Sequence, residues 1–180
     1  MVGLEFYQVL AGIARVPLRE SSLLLHEPAT ALAFSLALVI AASLAFREWK
    51  ALPYMASAVA LALVLGFAFQ LLIQEAKPCA TVPGRIPCPP GFSLPSMHSL
   101  LAFTLAISAL GNRSFPLYLA FAAFVAFSGV YLGVHAPAEA FAGLALAFFA
   151  CVATEMLWKA AGWRVPNEIH IKHDLGKLAP

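Results

Sequence analysis

Charge is what this sequence has least of. Asp, Glu, Lys and Arg make up 11% of its 180 residues, against 62% apolar residues, and the mean hydropathy is +0.85. A soluble domain carries about 25% charged and roughly 45–50% apolar residues. A chain so poor in charge cannot cover its surface against water, so a soluble fold is excluded and lipid is the solvent for much of it. The net charge is only +2, with no basic run and no basic patch interleaved with aromatics, which excludes nucleic acid as a partner. Cysteine is limited to Cys79, Cys88 and Cys151. The lack of a Cys-x-x-Cys pair argues against a thiol oxidoreductase. No spacing of His, Cys and carboxylate reads as a metal site, and no cofactor is expected. Internal repeats and low-complexity stretches are missing too. The N-terminus lacks the pattern of a cleavable signal, since its first charge is Glu5 and no compact apolar core with a small-residue cleavage site follows.

What the sequence does have is long apolar runs. A bilayer core needs roughly 20 apolar residues in helix. Five segments qualify: 29–46, opened by Glu27-Pro28 and closed by Arg47, Glu48 and Lys50; 53–74; 96–110, closed by Gly111-Asn112-Arg113; 115–132; and 137–158. The first 25 residues differ. Phe6, Val9, Leu10 and Ile13 recur at helical spacing, with Glu5, Gln8, Gly12, Arg15 and Arg19 largely on the other face. That pattern predicts an amphipathic helix lying in the interface, with a tilted extra span as the alternative. The expected architecture is one all-α integral membrane domain over 1–180. It comprises an interfacial helix (1–25), a core of five transmembrane helices (26–158) and a cytoplasmic tail (159–180).

Lys and Arg set the expected orientation. Arg47 and Lys50 lie between the first two spans, Arg113 between the third and fourth, and Lys159, Arg164, Lys172 and Lys177 in the tail. Placing these in the cytoplasm leaves the Pro-rich 75–95 loop and the 132–137 turn outside, a multi-pass cell-membrane protein. Arg15, Arg19, Lys77 and Arg85 then fall outside against the bias, which suggests that chemistry keeps the last two there. An outer loop also permits a Cys79–Cys88 disulfide.

Three polar clusters share this outer side: Lys77 with Arg85; Pro95-Ser96-Met97-His98-Ser99; and the stretch Ser128–Glu139. Ser96 follows a proline and precedes an apolar helix, so it reads as an N-cap. The free N–H groups of such a helix start favour an anion. Lys77 and Arg85 add positive charge suited to phosphate. His98, in the first turn, is placed to donate a proton to a leaving oxygen. His135 precedes a helix that Pro137 opens, and Glu139 lies four residues on, where its carboxylate can fix the imidazole tautomer. Taken singly, each has a plainer reading: Ser96 as a cap only, Glu139 as a helix-dipole partner, either His as structural, and Lys77 and Arg85 as solvated loop charges. Their shared depth and spacing favour a site.

These residues resemble the type 2 phosphatidic acid phosphatase family, related to the vanadium haloperoxidases. The family's motifs are Lys, six residues, Arg-Pro; Pro-Ser-Gly-His; and Ser-Arg, five residues, His, three residues, Asp. Here Pro95–His98 matches the second with Met97 for Gly. The third aligns as Ser128-Gly129, five residues, His135, three residues, Glu139, so Gly129 stands at the Arg and Glu139 at the Asp. The first is looser: seven residues separate Lys77 from Arg85, and Ile86 precedes Pro87. The resemblance implies a membrane lipid phosphatase. In it His135 is the nucleophile that forms a phosphohistidine, Glu139 its orienting partner and His98 the general acid. Lys77, Arg85, Ser96 and the Met97 amide bind phosphate, without metal or cofactor. Phosphatidic acid, phosphatidylglycerol phosphate and polyprenyl diphosphate are the substrates it suggests. Gly129 is the residue that favours the alternative, a non-catalytic relative that binds or moves phospholipid.

Overall fold

The structure, a computed structural model, describes residues 21–24 and 28–166. The expected interfacial helix thus lies almost wholly outside the described residues, as does the tail beyond residue 166. Among the described residues, a helical stretch at 21–24 precedes five α-helices: α1 (Pro28–Phe46), α2 (Leu52–Ile73), α3 (Met97–Ser108), α4 (Phe115–Tyr131) and α5 (Pro137–Ala160). Single 3₁₀ turns lie at Trp49–Ala51 and Pro78–Ala80, and no strand occurs among the described residues. Prolines open α2, α4 and α5 within their first two positions, where the missing N–H costs nothing. Arg47 and Gln74 close α1 and α2 in the left-handed conformation (φ 57° and 51°) that more often falls to glycine.

The centre of the bundle is α3, which packs against α2, α4 and α5, while α2 also packs against α5. At 12 residues it rises about 18 Å, well short of a bilayer core of about 30 Å. It ends at Ser108, two residues before the expected Leu110. By length and composition α2 and α5 qualify as membrane spans, and the other three are shorter.

The distribution of polarity is inverted relative to a water-soluble bundle. Leu32, Phe34, Phe67, Leu72, Phe141 and Phe148 are each more than half exposed, while Ser99, Thr104, Ser108 and Thr154 are buried. A surface this apolar is matched to lipid. The buried hydroxyls bond back to their own helices, Thr104 Oγ1 to the Leu100 carbonyl at 2.7 Å and Thr154 Oγ1 to that of Ala150 at 2.8 Å, so no hydroxyl of this pair enters the apolar interior without an acceptor.

The two ends of the bundle are distinct. At one end the loop after α1 meets the start of α4: Glu48 Oε1 accepts from the Arg113 and Ser114 N–H groups at 2.8 and 3.3 Å, and the Ser114 hydroxyl donates to Glu48 Oε2. Glu48, expected only to end the first helix, caps the fourth. Trp158 stacks edge-on with Tyr54 and with Trp163 at this same end, and Lys159 pairs with Glu155 at 2.5 Å. Amphipathic aromatics are typical of a membrane interface. At the other end lie the 74–96 loop and the 132–136 turn. Replacing Glu48 by Ala is expected to cost about 1–2 kcal/mol, seen as a lower unfolding midpoint in detergent, and Glu48→Gln should lose less. An unchanged midpoint in Glu48→Ala contradicts the capping role.

Candidate active site

The first turns of α3 and α5 are joined directly. Ser96 caps α3, its Oγ accepting from the Ser99 N–H at 3.5 Å, and its own N–H donates to the Glu139 carbonyl at 3.2 Å. Gly143 permits this approach. A Cβ there would lie 3.0 Å from both the Leu100 nitrogen and the Ser96 oxygen, which is backbone that cannot step aside.

His135 is delivered by the turn that ends α4. The N–H groups of Val134 and His135 both donate to the Gly129 carbonyl, at 3.1 and 3.2 Å. Glu139, in the first turn of α5, places Oε2 2.6 Å from His135 Nδ1, and both residues are about 95% buried (5% and 4% exposed). With Glu139 ionised, Nδ1–H donates to it and Nε2 keeps the lone pair. His98, second residue of α3, is within electrostatic reach of His135 and Lys77.

The 74–96 loop covers these helix starts and is pinned at several points. Gln70 Nε2, on α2, donates to the Phe92 and Pro95 carbonyls at 3.3 and 3.0 Å. The Ser93 N–H donates to the Glu75 carbonyl at 2.9 Å. A Cys79–Cys88 disulfide closes the loop around Arg85. Gly84 lies so near the α4–α5 turn that a Cβ would meet the Leu132 oxygen at 2.9 Å, and the Arg85 N–H donates to that oxygen at 2.9 Å. Lys77 Nζ donates to Pro89 and Pro90 at 3.1 and 2.9 Å, two of its three donors. Burial holds the Lys77 pKa below the usual lysine value, partly opposed by the nearby Glu139 carboxylate. The Arg85 guanidinium carbon lies 3.9 Å from the centroid of the Tyr131 ring.

Ser96, His98, Lys77, His135 and Glu139 are therefore gathered at one end of the bundle. Arg85 stands beside them over the last turn of α4. Met97 is partly buried against the cluster of Ala62, Leu100, Ala147 and Ala150, and its sulfur lies 2.8 Å from where a Cβ on Gly66 would be. Its side chain fills the α2–α3 contact, and only its amide is left for the helix start. Sequence reasoning missed Gly143, Gln70 and Tyr131; Gly143, four residues after Glu139 and so on its face of α5, was the one with a readable signal. Among the described residues, no three His, Cys, Asp or Glu side chains converge as metal ligands.

The bundle thus brings two histidines, a carboxylate and a cationic loop to one end. The PAP2 superfamily profile matches residues 50–163, and the chain belongs to that family. Over 76 residues it is 36% identical to the Escherichia coli (strain K12) protein named "Putative undecaprenyl-diphosphatase YbjG", covering 41% of this chain and 38% of that protein. The chain thus aligns with well under half of that relative's length. Its fold is similar to that of a transmembrane PAP2 type phosphatidylglycerolphosphate phosphatase from Bacillus subtilis, with a TM-score of 0.65 at 19% identity, covering 88% of this chain and 85% of that one.

Gly143→Ala is expected to destabilise the protein by about 1–3 kcal/mol through forced separation of α3 and α5. Gly66→Ala should cost less, because the ends of the Met97 and Leu100 side chains can move away. Denaturation midpoints of the two variants check this, and equal losses contradict the backbone contact.

Proposed function

We propose that this protein is a membrane phosphatase that cleaves a phosphomonoester or diphosphate bond of a lipid at the extracytoplasmic surface through a phosphohistidine on His135. The observation that carries the reading is the buried His135–Glu139 pair at 2.6 Å, with His98 and Lys77 in electrostatic reach of it. His135 Nε2 attacks phosphorus, and the bond from phosphorus to the leaving oxygen breaks. His98 supplies that oxygen's proton and afterwards takes one from the attacking water, which releases phosphate and restores His135. Glu139 orients the ring and stabilises the charge it gains. Ser96, the Met97 amide, Lys77 and Arg85 hold the phosphoryl oxygens, so that positioning and fixed charge lower the barrier.

Family membership supports the reaction class, and the names of the two relatives support a polyprenyl diphosphate or phosphatidylglycerol phosphate, with phosphatidic acid as a third candidate. Placement of the site outside is supported by Arg47, Lys50, Arg113, Lys159 and Arg164 at the opposite end, and by a disulfide suited to an oxidising compartment. Gly129 supplies no guanidinium where the family motif has Arg. Arg85 brings a cation to the same end of α4, while loss of one such donor costs on the order of 3–4 kcal/mol. A non-catalytic lipid-binding protein is the reading that this gap favours.

The test is phosphate release by purified protein from each of the three lipids in mixed micelles. At least one lipid should be turned over, and His135→Ala and His98→Ala should each lose at least about 100-fold in rate without loss of folding. Binding of all three lipids with no release from any would establish the non-catalytic reading instead.

A further inference from the structure

We propose that Tyr131 is a positioning residue, whose ring holds the Arg85 guanidinium in place for a phosphoryl oxygen of the substrate. This rests on the phosphate-binding role proposed for Arg85. Arg85 is fixed at both of its ends. Its N–H donates to the Leu132 carbonyl at 2.9 Å, and its guanidinium carbon lies 3.9 Å from the Tyr131 ring centroid. The platform is itself rigid: Tyr131 is 3% exposed and stacks on Phe127 one turn earlier, with centroids 5.9 Å apart at 16°.

The choice of an aromatic partner has a chemical consequence. A carboxylate would neutralise Arg85 and occupy its fork of donors. A ring attracts the cation through its face and leaves the in-plane N–H groups available for bidentate contact with phosphate. Among the described residues, the ion pairs are His135–Glu139 and Lys159–Glu155, and neither involves Arg85. The last turn of α4 also carries the negative end of the helix dipole, which favours a cation. Gly84 makes the arrangement possible by letting the loop backbone reach the Leu132 carbonyl. Where the family motif carries Arg, Gly129 contributes none, so the fixed orientation of Arg85 matters more here.

The test uses the full-length protein and two readouts: turnover of phosphatidic acid in micelles, and binding of inorganic phosphate by calorimetry, which does not depend on finding the natural substrate. Tyr131→Leu should weaken inorganic phosphate binding about tenfold and raise KM by a similar factor with a smaller change in kcat. Tyr131→Phe, which keeps the ring, should restore both to within about twofold. In an Arg85→Ala background, Tyr131→Leu should produce no further loss. If Tyr131→Leu does not fold, Tyr131→Met provides a second ringless variant. Equal losses from Tyr131→Leu with and without Arg85, or a Tyr131→Phe variant as weak as Tyr131→Leu, would overturn the inference. Arg85→Ala with unchanged phosphate binding would overturn the role of Arg85 itself. A loss in Arg85→Ala alone, with Tyr131→Leu behaving as wild type, would remove only the role of Tyr131.

Discussion

The contact between the first turns of α3 and α5 is the constraint on which the rest depends. One backbone bond, from the Ser96 N–H to the Glu139 carbonyl, and one glycine, Gly143, bring the two helix starts into register. Each helix start carries one imidazole near it, His98 inside α3 and His135 just ahead of α5. Fixing the helices therefore fixes the two rings, without requiring flexible side chains to find each other. The same register puts the Glu139 side chain under His135 while its carbonyl serves the backbone contact. One residue thus orients the ring through its side chain and locates α3 through its main chain. In the proposed mechanism a shift of about 1 Å at such a site costs on the order of 100-fold in rate, so rigidity at this contact would serve function as well as stability.

Around that contact the chain separates two solvents. The helices turn Leu and Phe outward and keep small and hydroxyl-bearing residues within, where the hydroxyls close on their own carbonyls. The polar side chains of the proposed site lie at one end, beneath a loop that a disulfide, Gln70 and the close approach of Gly84 hold down. A lipid with its chain in the bilayer and its phosphate at the surface meets such a site without leaving the membrane. The site's depth in the proposed account thus follows from the substrate's own amphipathicity.

Much of this was legible in the sequence, for identifiable reasons. Proline at or just before each helix start, and charged stops after the first and third, placed the five helices to within about two residues of where they lie. The i, i+4 spacing of His135 and Glu139 announced their pairing, and Pro95-Ser96 announced a capped helix start. Other features depend on contacts between segments far apart in the chain, which periodicity does not record. α3 is mostly apolar and reads as a span, yet it is short and central, a fact set by what surrounds it. Glu48 looked like a stop for one helix and serves as the cap of another, 65 residues further on. Met97 looked like a departure within the phosphate site, while its side chain is taken up over Gly66. Arg85 read as a phosphate ligand from its charge, but its partner Tyr131 became visible only when the loop was seen lying on the α4–α5 turn.

The most direct measurement is an experimental structure of the protein with orthovanadate, a mimic of the phosphoryl group in transit. The account predicts vanadium within bonding distance of His135 Nε2, His98 on the side of the departing oxygen, and Lys77 and Arg85 directed at the remaining oxygens. Vanadate bound elsewhere, or His98 and His135 facing separate compartments with no anion between them, would contradict it.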